Sequence, residues 1–315
     1  MRLMRLGISV ILLGLLVIMF TGCQPEFVPG TYIDDMGREV SIDEVPQRIV
    51  SFGPSITELL FALDLEARVV GVSDYCDYPE EAKLKPKVGS AFDPSLERIV
   101  ELEPDLVLTL EHEQLNRELD TLGIKYMVLG PKDIDGILSN IELLGKVTGT
   151  GERAEQLISD MQADISSVTN GVENAPKVRV FYIIDATDPN NPWTAGPGSF
   201  VDALITMAGG ENVAAQAQGD WVQFSLEQIV SSAPEVIIIQ TMVGGIPTIS
   251  AEGLEAHPVW QEMAAVKEGR VFIIDGDLVS RPGPRIIQGL EEMAKIIHPE
   301  LFTTGVLDRE LVELG

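Results

Sequence analysis

Histidine, cysteine and positive charge are all in short supply in this chain, and each shortage excludes something. The 315 residues include three histidines. His112 stands between Glu111 and Glu113, and His257 and His298 each precede proline, so no H-E-x-x-H or related ligand spacing occurs and a histidine-rich metal centre is disfavoured. Lysine and arginine total 22 against 49 acidic residues, a formal charge of −27. Such a surface repels nucleic acid phosphates and anionic lipid headgroups and is drawn toward a basic docking surface. Catalytic signatures are missing too. There is no G-x-S-x-G elbow and no G-x-x-x-x-G-K-[ST] phosphate loop, and Gly196-Pro197-Gly198 lacks the third glycine of a dinucleotide fingerprint. Catalysis therefore has little support, and an extracellular hydrolase is a remote alternative.

The first residues have the pattern of an export signal: Arg2 and Arg5, an apolar run from Leu6 to Phe20, then Thr21 and Gly22. Fifteen helical residues span about 22 Å, short of a hydrocarbon core of about 30 Å. The junction Phe20-Thr21-Gly22-Cys23 resembles the lipobox of bacterial lipoproteins, although Phe20 replaces the usual aliphatic residue. That resemblance implies lipid on Cys23 and a protein held at the outer face of the cell membrane, or on the periplasmic side of a second one. A soluble secreted form is the alternative. Loss of residues 1–22 removes two arginines and no acid, moving the formal charge from −27 to −29. Cys76 then remains as the lone thiol, no internal disulfide is available, and stability rests on packing.

What the chain does have is a repeat. Ser95-Leu96-Glu97-Arg98-Ile99-Val100, closing at Pro104-Asp105, returns 130 positions later as Ser225-Leu226-Glu227-Gln228-Ile229-Val230, closing at Pro234-Glu235. Six of sixteen aligned residues are identical, where average composition gives about one. A period this long is not a solenoid's and points to two similar lobes facing each other across a cleft. Apolar spacing turns Leu96, Ile99 and Val100 inward, with Leu226, Ile229 and Val230 their counterparts, and leaves Glu97 and Glu227 outward at equivalent places. Two such carboxylates could grip a two-fold symmetric partner.

Short apolar runs predict strands at 48–52, 69–72, 105–110 and 124–129, and again at 178–184, 235–240 and 271–275, alternating with helices in βαβ fashion. Ser55 with Glu58 suggests a capping box at the first helix, and Ser199 with Asp202 has the same order in the second lobe. From Asp133 to about Asn170 the pattern is helical, broken at Gly149-Thr150-Gly151, and its second part is long enough to bridge two lobes. The expected division is a signal at 1–22, a tether with a turn near Asp34–Arg38 at 23–45, an α/β lobe at 46–131, a helical linker at 132–175, a second α/β lobe at 176–300 and a tail at 301–315. The fold class is α/β: two Rossmann-like lobes with mainly parallel sheets, one long joining helix and a ligand cleft between them.

Arg48-Ile49-Val50-Ser51, Pro54-Ser55-Ile56-Thr57-Glu58, Asp74-Tyr75-Cys76-Asp77-Tyr78-Pro79, the two Ser-Leu-Glu segments and Arg281-Pro282-Gly283-Pro284-Arg285-Ile286 together resemble the cobalamin-binding proteins of bacterial ABC importers, within the wider cobalamin and ferric-siderophore binding family. The resemblance covers about residues 46–298. It implies a monomer, without a cofactor of its own, that carries a corrinoid to a dimeric permease and its ATPase subunits. It also implies permease contact through Glu97 and Glu227, Tyr75 and Trp221 against the corrin from opposite lobes, and Asp277 and Arg281 near its polar groups. Phe92 and Trp193 fall in loops beyond strand ends, where α/β sheets bind ligands. Two positions that carry tryptophan in the family are Ala91 and Leu110 here. Cys76 reads as a small buried residue or, alternatively, a thiol facing the pocket. A ferric siderophore or haem is the alternative ligand, though such anions call for basic groups and only Arg281 and Arg285 offer themselves. A rigid joining helix leads us to expect little lobe movement on binding.

Overall fold

The computed structural model describes residues 27–302. The expected export segment and Cys23 lie outside the described residues. Strands β1 (Gly30–Ile33) and β2 (Glu39–Ile42) form an antiparallel hairpin. Its turn falls at the expected cluster, where Asp34 Oδ1 accepts the backbone N–H groups of Met36 and Arg38 at 3.0 and 2.9 Å. The hairpin does not hang free. Asp34 and Asp35 carboxylates accept the N–H groups of Val128 and Gly130, and Val40 and Ile42 are buried in the core.

The first lobe runs β3 (Ile49–Phe52), α1 (Pro54–Ala62), β4 (Val69–Val72), α2 (Leu96–Glu101), β5 (Leu106–Thr109), α3 (Glu113–Leu122) and β6 (Tyr126–Val128). Its sheet is parallel in the order β4-β3-β5-β6. Every residue of β3 and β5 is buried, as expected of central strands covered on both faces. Helices α4 (Ile134–Thr148) and α5 (Gly151–Val172) follow, separated at the expected glycines, with Gly149 in the left-handed region at φ 72°. A Cβ on Gly145 would lie 2.5 Å from that of Ala154, so glycine there lets α4 and α5 touch. At 22 residues α5 is about 33 Å long.

The second lobe contains β7 (Val178–Ile183), β8 (Trp193–Ala195), α6 (Phe200–Met207), β9 (Gly210–Asn212), β10 (Trp221–Gln223), α7 (Leu226–Ser232), β11 (Val236–Gln240), α8 (Ala251–Glu255), α9 (Ala264–Lys267), β12 (Val271–Ile274), α10 (Gly276–Ser280), α11 (Ile286–Ile297) and α12 (Pro299–Phe302). Its parallel sheet has the order β12-β11-β7-β9, and β8 pairs with β10 as a separate antiparallel ribbon. In both sheets the first strand lies between the second and the third, with the fourth outside the third, so the repeat extends to topology. It extends to backbone conformation as well. Glu103 and Ala233, each preceding the repeated proline, both have positive φ, at 43° and 44°. Arg48 Nε donates to the Leu102 and Glu103 carbonyls at 3.1 and 3.0 Å, and Arg179 Nε donates to the Ala233 carbonyl at 2.9 Å.

One apolar cluster runs through both lobes, joining Ile49 and Leu106 to Val180 and Ile238 by way of Met161 and Val168 of α5. The lobes therefore share a core. Two local expectations fail. Ser55 and Glu58 form no capping box: α1 begins at Pro54, its N-cap is Gly53 with no side-chain cap, and Glu58 is engaged across the lobes. Val100 and Val230 do not join the buried faces of α2 and α7. They are 46% and 48% exposed, because helices this short bury a single central isoleucine, Ile99 or Ile229.

Candidate functional site

The lobes meet through Arg281 and Arg285 of the second and Asp77 and Glu58 of the first. In the second lobe, the β8–β10 ribbon holds Trp193 and Trp221 beside one another, with Trp221 opposite Ala195 and Gln223 opposite Trp193. Both indoles are about half exposed, at 42% and 50%. They line a cavity of about 370 Å³ with Ile184, Phe200, Met242 and Val279, so its wall is aromatic and aliphatic apart from Asp185, Gln240 and Ser280. Wide exposed indoles over an apolar floor suit a flat, largely apolar ligand. Asn212 anchors this region from beneath, donating to the Ala195 carbonyl and the Asp202 carboxylate at 2.9 and 2.8 Å. Asp202 in turn opens α6, where Ser199 Oγ accepts its N–H as the sequence pattern suggests.

The first lobe contributes exposed aromatics: Tyr75 at 43%, Tyr78 at 39% and Phe92 at 91%. Phe92 stands on a turn made by Ser90, whose hydroxyl accepts the N–H groups of Phe92 and Asp93. Gly89 must be glycine, since its φ is 92° and a Cβ would meet the Asp93 carbonyl at 2.3 Å. His112 pins this turn. Its Nδ1 accepts the Leu115 N–H, so Nε2 carries the proton and donates to the Ala91 carbonyl at 2.7 Å. Cys76 is 1% exposed and turned inward, its Sγ 3.1 Å from both the Thr57 and Ser73 hydroxyls. Burial pushes its thiol up, so it is a packed residue and not a pocket nucleophile.

Asp277 and Arg281, expected near the ligand, meet each other at 2.7 Å. Arg281 also reaches across to the first lobe, to Asp77 at 2.7 Å and Glu58 at 3.2 Å. Arg285 completes the network with a two-pronged bond to Glu58 at 2.9 and 2.6 Å, its guanidinium 4.0 Å from the centre of the Tyr78 ring. Glu58 is 2% exposed and both arginines 13%. Burial alone would push Asp77 up, but the Arg281 hydrogen bond and charge outweigh it and hold this carboxyl below the usual range. Asp277 goes the other way, because burial outweighs the pull of Arg281. Arg285 was expected only as a possible basic group for an anionic ligand, and Asp77 and Glu58 were not singled out as cleft residues from sequence. Gln240 was also missed, although a polar residue closing the apolar run of β11 marks a strand end.

Glu97 and Glu227 are exposed on the first turns of α2 and α7, each with its exposed valine three residues on, so carboxylate and apolar contact share one helix face. Beside Glu227 a shallow groove of about 400 Å³ is lined by Leu226, Val230 and Val259. Among the described residues no cluster of three or more histidine, cysteine or acidic side chains is placed to hold a metal, and no helix is long and apolar enough to cross a membrane.

The periplasmic binding protein family model matches residues 49–278. The chain belongs to that family. It is 32% identical over 319 residues to an ABC transporter substrate-binding lipoprotein of Bacillus subtilis, covering 95% of this chain and 98% of that one. It is 31% identical over 254 residues to a vitamin B12-binding protein of Pectobacterium carotovorum, covering 79% and 87%. A periplasmic heme-binding protein of Roseiflexus sp. RS-1 superposes with a TM-score of 0.72 at 26% identity, covering 81% of this chain and 99% of that one. Each of these relatives is named as a binding protein. This protein is an extracytoplasmic substrate-binding protein of an ABC transporter in the cobalamin, siderophore and heme family, and such proteins work with permease and ATPase partners.

Proposed function

We propose that this protein captures a corrinoid between its lobes and hands it to a two-fold permease through Glu97 and Glu227, while lipid on Cys23 keeps it at the membrane. The observation that carries the ligand assignment is the state of the cleft arginines. Arg281 and Arg285 are charge-paired with three carboxylates, Glu58, Asp77 and Asp277, so the anionic ligands that basic groups would recognise, heme carboxylates and ferric siderophores, find acids where they need cations. A corrin has a broad apolar face and a neutral amide rim, which suits Trp193, Trp221, Tyr75 and Phe92 with a few polar groups between them. Matching exposure of Glu97 with Val100 and of Glu227 with Val230 supports docking to a symmetric receiver. The lipoprotein relative supports the anchor.

Titration with cyanocobalamin should quench tryptophan fluorescence, and Trp193→Ala with Trp221→Ala should weaken binding at least about tenfold, as expected from losing two large aromatic contacts. Excess hemin or a ferric siderophore should not displace the corrinoid. A spectrum unchanged by cobalamin, alongside saturable hemin binding, would reject the corrinoid in favour of heme.

A further inference from the structure

The C-terminal lobe holds a polar pair that no contact within the protein saturates. Gln240 ends β11 and is 8% exposed, yet it lines the tryptophan cavity. Its Oε1 accepts the Tyr182 hydroxyl at 2.9 Å and the Ser280 hydroxyl at 3.2 Å. Tyr182 is fully buried and its O–H must find an acceptor, which fixes which end of the amide faces inward. The Nε2 group is left toward the cavity with only the Met242 sulfur at 3.8 Å, a weak acceptor that a ligand oxygen would readily replace. Asp185 lines the same cavity. Adjacent parallel strands β7 and β11 pair Ile183 with Ile239, so Asp185 and Gln240 lie at neighbouring strand ends. Asp185 accepts the N–H and hydroxyl of Thr187, both at 2.7 Å, and a further bond from Thr248. A carboxylate has about four acceptor sites, so these three leave one.

We infer that Gln240 and Asp185 form a subsite for a primary carboxamide, the Gln240 Nε2 donating to its oxygen and the Asp185 carboxylate accepting from its N–H, and that the pair rejects a carboxylate at the same place. This rests on the corrinoid reading and deepens it. An amide satisfies both partners at once, whereas a carboxylate has no proton to give Asp185 and sets two negative charges side by side. A site built to hydrogen-bond one group discriminates strongly against an analogue that leaves its own polar atoms unpaired.

The test is calorimetric titration of the full protein with cyanocobalamin and with its separated monocarboxylate isomers, each having one peripheral carboxamide hydrolysed. At neutral pH at least one isomer should bind about tenfold or more weaker than the parent. Asp185→Asn should shrink that penalty to within about threefold. Gln240→Glu, which keeps the oxygen that receives Tyr182 and Ser280, should weaken the parent itself at least about tenfold. If every isomer binds the wild type as the parent does, or Asp185→Asn leaves the ratio unchanged, the carboxamide subsite is wrong while the corrinoid assignment stands. If the wild type binds no cobalamin, that assignment falls and takes the subsite with it.

Discussion

Replacing Glu58 with glutamine perturbs the contact between the lobes at its most buried point. The change keeps shape and removes one charge, and the consequence follows from what surrounds it. Arg285 loses the partner charge and one prong of its bond, since the amide keeps a single acceptor oxygen for the 2.9 and 2.6 Å contacts, and it retains the Tyr78 ring. Arg281 has its 3.2 Å contact reduced from a charged to a neutral acceptor and keeps Asp77 and Asp277. Breaking a buried pair from one side costs about 3–5 kcal/mol. Arg281 stays paired and both arginines sit in partly wet surroundings, so the lower end, about 3 kcal/mol, is expected. For a chain of this size that lowers Tm by about 5 °C. Guanidinium unfolding and calorimetry would measure it on the single variant, on Arg285→Leu and on the double variant. Because the main cost is an uncompensated charge, the double variant should recover much of the loss, giving a coupling energy of about 1–3 kcal/mol. A Glu58→Gln loss under about 1 kcal/mol, or strictly additive single changes, would refute the picture of a coupled ionic latch between the lobes.

Charge reversal at the docking surface, Glu97→Lys with Glu227→Lys, should abolish transport in a cell-based uptake assay and leave cobalamin affinity within about twofold, since both side chains are exposed and neither lines the tryptophan cavity; uptake at the wild-type rate would remove these residues from the docking role. Asp77 sets an acid limit on the latch. Its folded-state carboxyl is held below the usual range by Arg281, so its contribution is present at neutral pH and is lost as pH falls through the region below about 4. Unfolding midpoints followed from pH 6 to pH 3 should therefore fall less steeply in Asp77→Asn than in the wild type, and parallel curves would show that the ion pair carries no linkage.

Much of the architecture was legible because the repeat and the apolar runs report different things and agree. Buried central strands such as β5 and β11 read as continuous apolar stretches, and Gly123 and Gly149 end helices where left-handed backbone is needed, at φ 66° and 72°. The β8–β10 ribbon escaped notice, since three-residue strands carry too few side chains for a period of two. At the site, Trp193 was expected from its loop position and Trp221 from the family resemblance, and both line one cavity. The latch did not, because Glu58 and Arg285 lie 227 residues apart and local pattern assigned Glu58 to a helix cap. Pairing across that distance is settled by how the lobes meet, which no window of sequence records.

The two halves agree where they face outward and differ where they face each other. Strand order, the left-handed residue before the repeated proline, its arginine clamp, and the exposed Glu-Val face all recur. The first lobe exposes Tyr75 and Phe92 on loops, while the second has a braced tryptophan ribbon over a cavity that Gln240 and Asp185 line. A symmetric receiver rewards identical docking patches, since each half must make the same contact with one of two equal partners. A ligand without that symmetry rewards the opposite, because a pocket with identical walls would bind it equally well in two orientations. On the proposed function, with an asymmetric corrinoid as cargo and a two-fold permease as receiver, recurrence on the outside with asymmetry within is the arrangement such a carrier needs.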